Sequence, residues 1–278
     1  MIAQMKDKKK LVEKIHHAVC QMYEEVSTNP LKGFHFPIGF NAALAVGYPA
    51  VVLKMLPLLA VESFAGVSYH FKNNAIQKGD FVLDIGAGSG TDVLVAAKLV
   101  GQKGRVVGID ITEAMIEKAK KAAMHNGFSN VSLLKANAEQ LPIEDGSVDV
   151  VISNGVINLV PDKRKVFREI HRVLKPGGIL SIADIVLGNP ISEESRQDPK
   201  LWAECVVGAL LEESYLGVIK QTGFTNTRIV DRLDYFSHSS SANTKEVAKE
   251  YNAHAIVLRA TKPHSTNATV SAKGGEIA

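Results

Sequence analysis

Phe81-Val-Leu-Asp84-Ile-Gly86-Ala87-Gly88-Ser-Gly90-Thr91-Asp92 is an apolar run closed by an acid and three glycines at alternate positions, just before a helical pattern begins. An apolar strand brings the chain to a sheet edge, and the glycines let the backbone turn tightly and approach a ligand that a Cβ would exclude. The N–H groups that open the next helix then face that ligand. Spacing narrows the ligand class: a dinucleotide fingerprint needs its third glycine at position 91, which is Thr91. Asp84 is an acid where a pyrophosphate would be repelled and a cationic amino group welcomed. The stretch therefore favours S-adenosylmethionine over NAD.

On either side of it, strand and helix patterns alternate. Strands are expected at Phe81 to Ile85, Gly104 to Asp110, Val131 to Leu134, Val148 to Ser153 and Gly178 to Val186. Helices are expected at Gly90 to Val100, Thr112 to Asn126, Pro161 to Leu174 and Glu212 to Thr222. Such alternation predicts an α/β fold with a mostly parallel sheet covered on both faces. Closing strands at Asn226 to Val230 and His254 to Arg259 show no helical period between them and are expected to pair as an antiparallel edge. Upstream, Leu11 to Glu25 reads as an amphipathic helix, and Asn29 to Tyr48 as an irregular segment over a pocket.

Ligands of open α/β sheets bind outside the carboxyl ends of the strands, so the residues just after each strand carry the chemistry. Asp110, closing the second strand, can accept both ribose hydroxyls. Asn137, after the third, offers an amide oxygen to an adenine amino group, with the small Ala138 beside it. Asn154, Gly155 and Asn158, after the fourth, suggest a floor under the methyl donor. His35, Tyr69 and His70, before the first strand, are the candidate catalytic groups, for a carbon or phenolic acceptor that needs a base.

Together, Asp84-Ile-Gly-Ala-Gly-Ser-Gly90, Gly108-Ile-Asp110, Ala138-Glu-Gln-Leu-Pro142 and Leu174-Lys-Pro-Gly-Gly178 resemble the motif series of class I S-adenosylmethionine-dependent methyltransferases, from about residue 75 to 262. The resemblance implies a Rossmann-like seven-stranded sheet with an antiparallel edge strand and an amino-terminal helical cap over 1–74; the tail from 263 to 278, rich in Ser, Thr, Asn, Ala and Gly without an apolar period, reads as disordered. It also implies a cofactor set of Asp84, Gly86, Ala87, Gly88, Gly90, Thr91, Asp110, Ile111, Met115, Asn137, Ala138, Asn154 and Gly155. Val151 to Leu159, and Leu201 to Leu210, are similar to arsenite methyltransferases, with ubiquinone and menaquinone C-methyltransferases as more distant relatives. In arsenite enzymes cysteine thiolates hold trivalent arsenic, at positions that here are Gly155, Cys205 and Val93. Since a soft trivalent centre is held by several sulfurs, metalloid methylation through Cys205 stands as the alternative to another small-molecule acceptor. Asn158, Asp184, Trp202 and Cys205 form the expected acceptor pocket.

Composition bounds the rest. A net charge of +3 over 278 residues implies no nucleic acid. Two cysteines without a Cys-x-x-Cys support neither a disulfide framework nor structural zinc, and a cytoplasmic monomer or homodimer fits. Ala42 to Val61 is long and apolar, but Gly47, Pro49, Lys54 and Pro57 interrupt it, so a buried or lid helix pair is expected rather than a membrane span. Two other classes share the fold: a nicotinamide oxidoreductase and a non-catalytic adenosyl-ligand-binding protein.

Overall fold

A computed structural model of the chain describes residues 2–192, 196, 202 and 206–264, with side chains from residue 9 onward. Its centre is a seven-stranded sheet: β1 (Phe81–Ile85), β2 (Arg105–Asp110), β3 (Val131–Lys135), β4 (Val148–Asn154), β5 (Leu174–Val186), β6 (Thr225–Leu233) and β7 (His254–Thr261). The order is β3-β2-β1-β4-β5-β7-β6. Only β7 runs against its neighbours, pairing antiparallel with both β5 and β6. From β1 the chain winds outward through β2 to β3 and then returns to β4 on the other side. The carboxyl ends of β1 and β4 therefore form the switch point where such sheets open a crevice.

Helices α5 (Thr91–Val100), α6 (Glu113–His125), α7 (Lys163–Val173) and α8 (Glu212–Gln221) follow the sheet's crossovers. Two large hydrophobic clusters are built on the sheet, one around Val82, Val106, Val150 and α5, the other around Leu83, Val151, Leu180 and α7. Upstream lie α1 (Ile2–Thr28), α2 (Gly39–Ala45), α3 (Ala50–Lys54) and α4 (Leu58–Val61). Ile15, Ala43, Leu53 and Ala60 bury their side chains in the first cluster, so this extension shares a core with the sheet.

Three expectations need correction. The apolar Ala42 to Val61 stretch is not a helix pair: Pro49 and Pro57 stand just before α3 and α4, where proline's fixed φ and missing N–H cost nothing. No described helix is long and apolar enough to cross a membrane. The segment read as irregular contains α2. A further helix among the described residues, α9 (Ala242–Glu250), stands between the last two strands; Ser241 caps it by accepting from Thr244 N at 3.2 Å, and Ala248 is its only buried residue, so it lacks the apolar stripe that periodicity detects. The expected tail from 265 on lies outside the described residues.

Candidate functional site

The glycine turn is held from below by backbone. Gly86 N and Ala87 N both donate to Ile109 O at 2.8 Å, which ties the turn to β2, and Gly88 N donates to Asp110 Oδ2 at 2.9 Å. Gly86 has φ +76° and backs onto the Val156 side chain; Gly90, at φ +97°, is the residue from which α5 starts. Ser89 and Thr91 hydroxyls donate to Ala60 O at 2.5 and 2.7 Å, fastening α4 onto the turn. Thr91, standing where a dinucleotide motif has glycine, thus has a structural partner.

Above this turn is a cavity walled by the carboxyl ends of β1, β2 and β4, the loop after β3, and α1. Asp84, Gly86, Ala87, Gly88, Thr91, Asp110, Ile111, Met115, Asn137, Ala138, Asn154 and Gly155 all line it. Of the expected cofactor set Gly90 alone does not, its Cα side facing Ala119. Asp110 is partly committed: besides Gly88 N it accepts from Thr112 N at 2.8 Å, leaving each oxygen a lone pair for a further donor. Asn137 Oδ1 accepts from Glu139 N at 2.9 Å, the turn role that an Asn at a strand end commonly takes, and its second lone pair remains.

Asp84 tests whether an adenosyl sulfonium ligand fits. It is 2% exposed, and its Oδ2 has no hydrogen-bond partner. Burial, then the charges of Asp92 and Asp110, push its carboxyl well above the usual range. An uncompensated buried carboxylate is costly, and a ligand ammonium supplies the missing charge. Nothing lies within 4 Å of the place a Cβ would take at Gly88, so the backbone there is open to a ligand. The residues present fit the cofactor.

Asp92, in the first turn of α5, is the principal feature that sequence reasoning missed. It is 6% exposed, lines the cavity and organises a buried network. The Tyr48 hydroxyl donates to Oδ1, while His70 Nε2 lies 3.2 Å and Asn154 Nδ2 3.0 Å from Oδ2. Asn154 also reaches the Tyr48 hydroxyl and Ser68 O, both at 3.0 Å, and its Oδ1 accepts from Val67 N at 2.7 Å. Burial and the Asp92 charge raise the Tyr48 phenol well above its ordinary value, so it stays a neutral donor. A carboxylate in a first helical turn reads from sequence as a dipole or cap residue; nothing local announces partners 22 and 44 residues away. Tyr48→Phe should leave Asp92 short of a donor and cost about 1–3 kcal/mol, read as a lowered melting temperature.

The three candidate catalytic residues stand outside the cavity lining. His70 is tied to Asp92 from behind. Tyr69 packs edge-on against Tyr48, ring centroids 4.8 Å apart, and burial with the nearby Asp92 charge raises its phenol. His35 packs against Phe36 at 4.7 Å, and burial lowers its imidazole.

Asn158, Asp184 and Trp202 also lie off the cavity, gathered around Lys163. Lys163 Nζ donates to Asn158 O and Val160 O at 2.9 Å, lies 5.2 Å from the Trp202 ring centroid, and shares charge with Asp184, which accepts from the Tyr215 hydroxyl at 2.6 Å. Burial lowers the ammonium and raises the carboxyl. We expect Lys163→Met to destabilise by about 1–3 kcal/mol in denaturant titrations, because it leaves the Asn158 and Val160 carbonyls without their donor. Cys205 lies outside the described residues. Burial, then the Asp110 charge, raises the Cys20 thiol, and Thr112 is its side-chain neighbour.

A seven-stranded sheet of this order, with a glycine turn above β1, an acid closing β2 and an unpaired carboxylate beneath the turn, defines an S-adenosylmethionine-binding methyltransferase fold. A family model described as a methyltransferase domain matches residues 76–236. The chain belongs to this methyltransferase family. It is 36% identical over 189 residues to an arsenite methyltransferase of Halobacterium salinarum, an alignment covering 68% of this chain and 48% of the relative. A demethylmenaquinone methyltransferase of Geobacillus stearothermophilus is 39% identical over 104 residues, 37% of this chain and 44% of that one. The crystal structure of an arsenic (III) S-adenosylmethionine methyltransferase from Chlamydomonas reinhardtii superposes with a TM-score of 0.60 at 33% identity, covering 82% of this chain and 74% of the other. The chain spans about half the length of these two curated relatives.

Proposed function

We propose that the chain transfers the methyl group of S-adenosylmethionine to a small-molecule acceptor. The observation that carries this is Asp84, a buried carboxylate with an unpartnered oxygen set beneath the glycine turn of a largely apolar cavity. When bound, the cofactor supplies an electrophilic methyl on a sulfonium. Asp84 would pair with its ammonium, Asp110 would accept its ribose hydroxyls, and Asn137 with Ala138 would flank its adenine. Phe64, Val156, Leu159 and Val160 give the cavity apolar walls, which suit an in-line displacement governed by alignment.

The acceptor class follows from what the lining offers. Its carboxylates are committed to Tyr48, His70 and Asn154, to the turn backbone, or to the ligand cation. Its histidine, His16, faces Glu139 at 3.7 Å. Such a site suits an acceptor already nucleophilic near neutrality, a thiol, selenol or amine, for which positioning suffices. The names of the relatives favour trivalent arsenic as a second reading. Against it, Cys20 is the only described thiol and sits at the sugar end, while Gly155 occupies the cavity where the resemblance expected a thiolate. A soluble cytoplasmic protein acting as a monomer or homodimer, without nucleic acid, accords with the small net charge.

Two measurements test the proposal. S-adenosylhomocysteine should raise the melting temperature while NADH does not. Methyl-labelled donor, incubated with the protein and either trivalent arsenic or a cell extract, should give a labelled product; arsenic methylation abolished by Cys205→Ser would establish the second reading. Absence of any thermal shift with the adenosyl ligand removes both readings.

A further inference from the structure

Between α1 and β1 the fold leaves an apolar face open to solvent. Val51 is 65% exposed, Met55 52% and Leu58 70%, while Leu53 among them is buried in the core. Val51 and Met55 stand one turn apart along α3, as do Ala50 and Lys54, so these four share one side of the helix. Leu58 opens α4, and α2, which carries the exposed Leu44, contacts both helices. Large apolar side chains scattered singly over a surface need no explanation, but Leu44, Val51, Met55 and Leu58 on adjoining helices mark a contact surface.

The charge pattern says what covers it. From Val26 to Val61 the sequence holds no aspartate or glutamate, and Lys54 is the only charged residue of α2 to α4 and their connections. Glu62, the next acid along the chain, is turned to Lys118 at 2.7 Å. A second copy of the chain, meeting this face with its own, would bring two Lys54 ammonium groups into one apolar contact with no acid to answer them. Residues 265–278 offer only Val270 and Ile277 as large apolar side chains, too few to cover the face. Apolar side chains around a cation, without an acid, suit an anionic lipid surface: the hydrocarbon enters the headgroup boundary while the ammonium stays among the phosphates.

We infer that the face from Leu44 to Leu58 docks on an anionic lipid bilayer, lying on its surface rather than crossing it. Helices α2, α3 and α4 are each far too short to span one. What they touch on the inner side gives the contact a consequence. Ala60 O, in α4, accepts from the Ser89 and Thr91 hydroxyls of the glycine turn, and the Tyr48 hydroxyl, just before α3, donates to Asp92. Docking therefore sets the glycine turn one layer of short helices away from lipid, a position suited to a methyl acceptor that partitions into the bilayer. The docking itself stands independently of the cofactor reading.

Co-sedimentation of the intact chain with lipid vesicles tests it. The chain should bind vesicles of mixed phosphatidylglycerol and phosphatidylcholine, bind phosphatidylcholine alone far more weakly, and lose affinity as salt rises. Val51→Ser, Met55→Ser and Leu58→Ser together should weaken partition about tenfold or more, and Lys54→Gln about fivefold. All four side chains are exposed, so the variants should melt as the unsubstituted chain does. In the unsubstituted chain the mixed vesicles should slow oxidation of Met55 by hydrogen peroxide, read by peptide mass, an outcome independent of any variant. The inference is overturned by a chain that ignores the mixed vesicles, or by a triple variant that binds them undiminished, as it would if the lysines from 6 to 10 made the attachment. It is equally overturned by a dimer in sedimentation equilibrium that the triple variant dissolves while no vesicle is bound, which would assign the face to a second copy.

Discussion

Asp84→Asn should weaken S-adenosylhomocysteine binding by about 10²-fold or more and yet raise the melting temperature of the ligand-free protein. The two effects have one cause. Asp84 is buried with an unpartnered oxygen, and Asp92 and Asp110 oppose its ionisation. Its folded pKa therefore stands above its unfolded value. Between those two values the unfolded chain has lost the proton that the folded chain keeps, so stability falls as pH rises through that window. The amide carries no such penalty, and the pH dependence should flatten in the variant. With ligand the order reverses, because the buried ammonium loses its counter-charge, at a cost of about 3–5 kcal/mol. Calorimetry in buffers of different ionisation enthalpy should also show proton release on binding in the unsubstituted chain, since the ammonium draws Asp84 into its ionised form. A variant that melts lower and binds normally would remove Asp84 from the site.

Gly86→Ala should abolish cofactor binding and destabilise the fold by about 3–5 kcal/mol. Two terms add. At φ +76° a side chain is strained by about 1–2 kcal/mol, and the new Cβ would run into both methyl groups of Val156. Val156 leads from β4 into the turn that walls the cavity, so the collision displaces the floor as well as the glycine turn. Val156→Ala added to Gly86→Ala removes the colliding methyls but leaves the backbone strain. The double variant should therefore recover part of the stability, by more than additivity of the single changes allows, in a denaturant cycle. Strict additivity would mean that the two residues do not collide.

How much of this was legible in sequence varied with how local the signal was. The strand at Phe81–Ile85, the three glycines and the acid that closes β2 announce themselves within a dozen residues or by fixed offsets, because strand, turn and helix start each impose their own residue types. The alternation of elements likewise specified a parallel sheet, and the closing strands paired antiparallel as expected. Helix α9 was not legible: a nearly solvated helix held by a Ser241 cap leaves no apolar period.

Tyr48, His70, Asp92 and Asn154 show the other limit. Their spacing along the chain is irregular, and only the packing of the 39–73 region against β4 and α5 brings them together. The same packing that assembled them moved Asn158, Asp184 and Trp202 away from the cavity and around Lys163, although the end of a strand was a sound reason to place the first two at a site. Leu11 to Glu25 was visible as an amphipathic helix, but nothing in that periodicity says which of its residues would line the cavity.

From residue order alone came the fold, the ligand turn and the aspartates beneath and beside it, since those depend on backbone rules that act over a few residues. Tertiary structure settled which carboxylate is satisfied and which is left with a lone oxygen, and which helix lines the cavity, because burial and charge compensation are properties of groups far apart in the chain that packing makes neighbours.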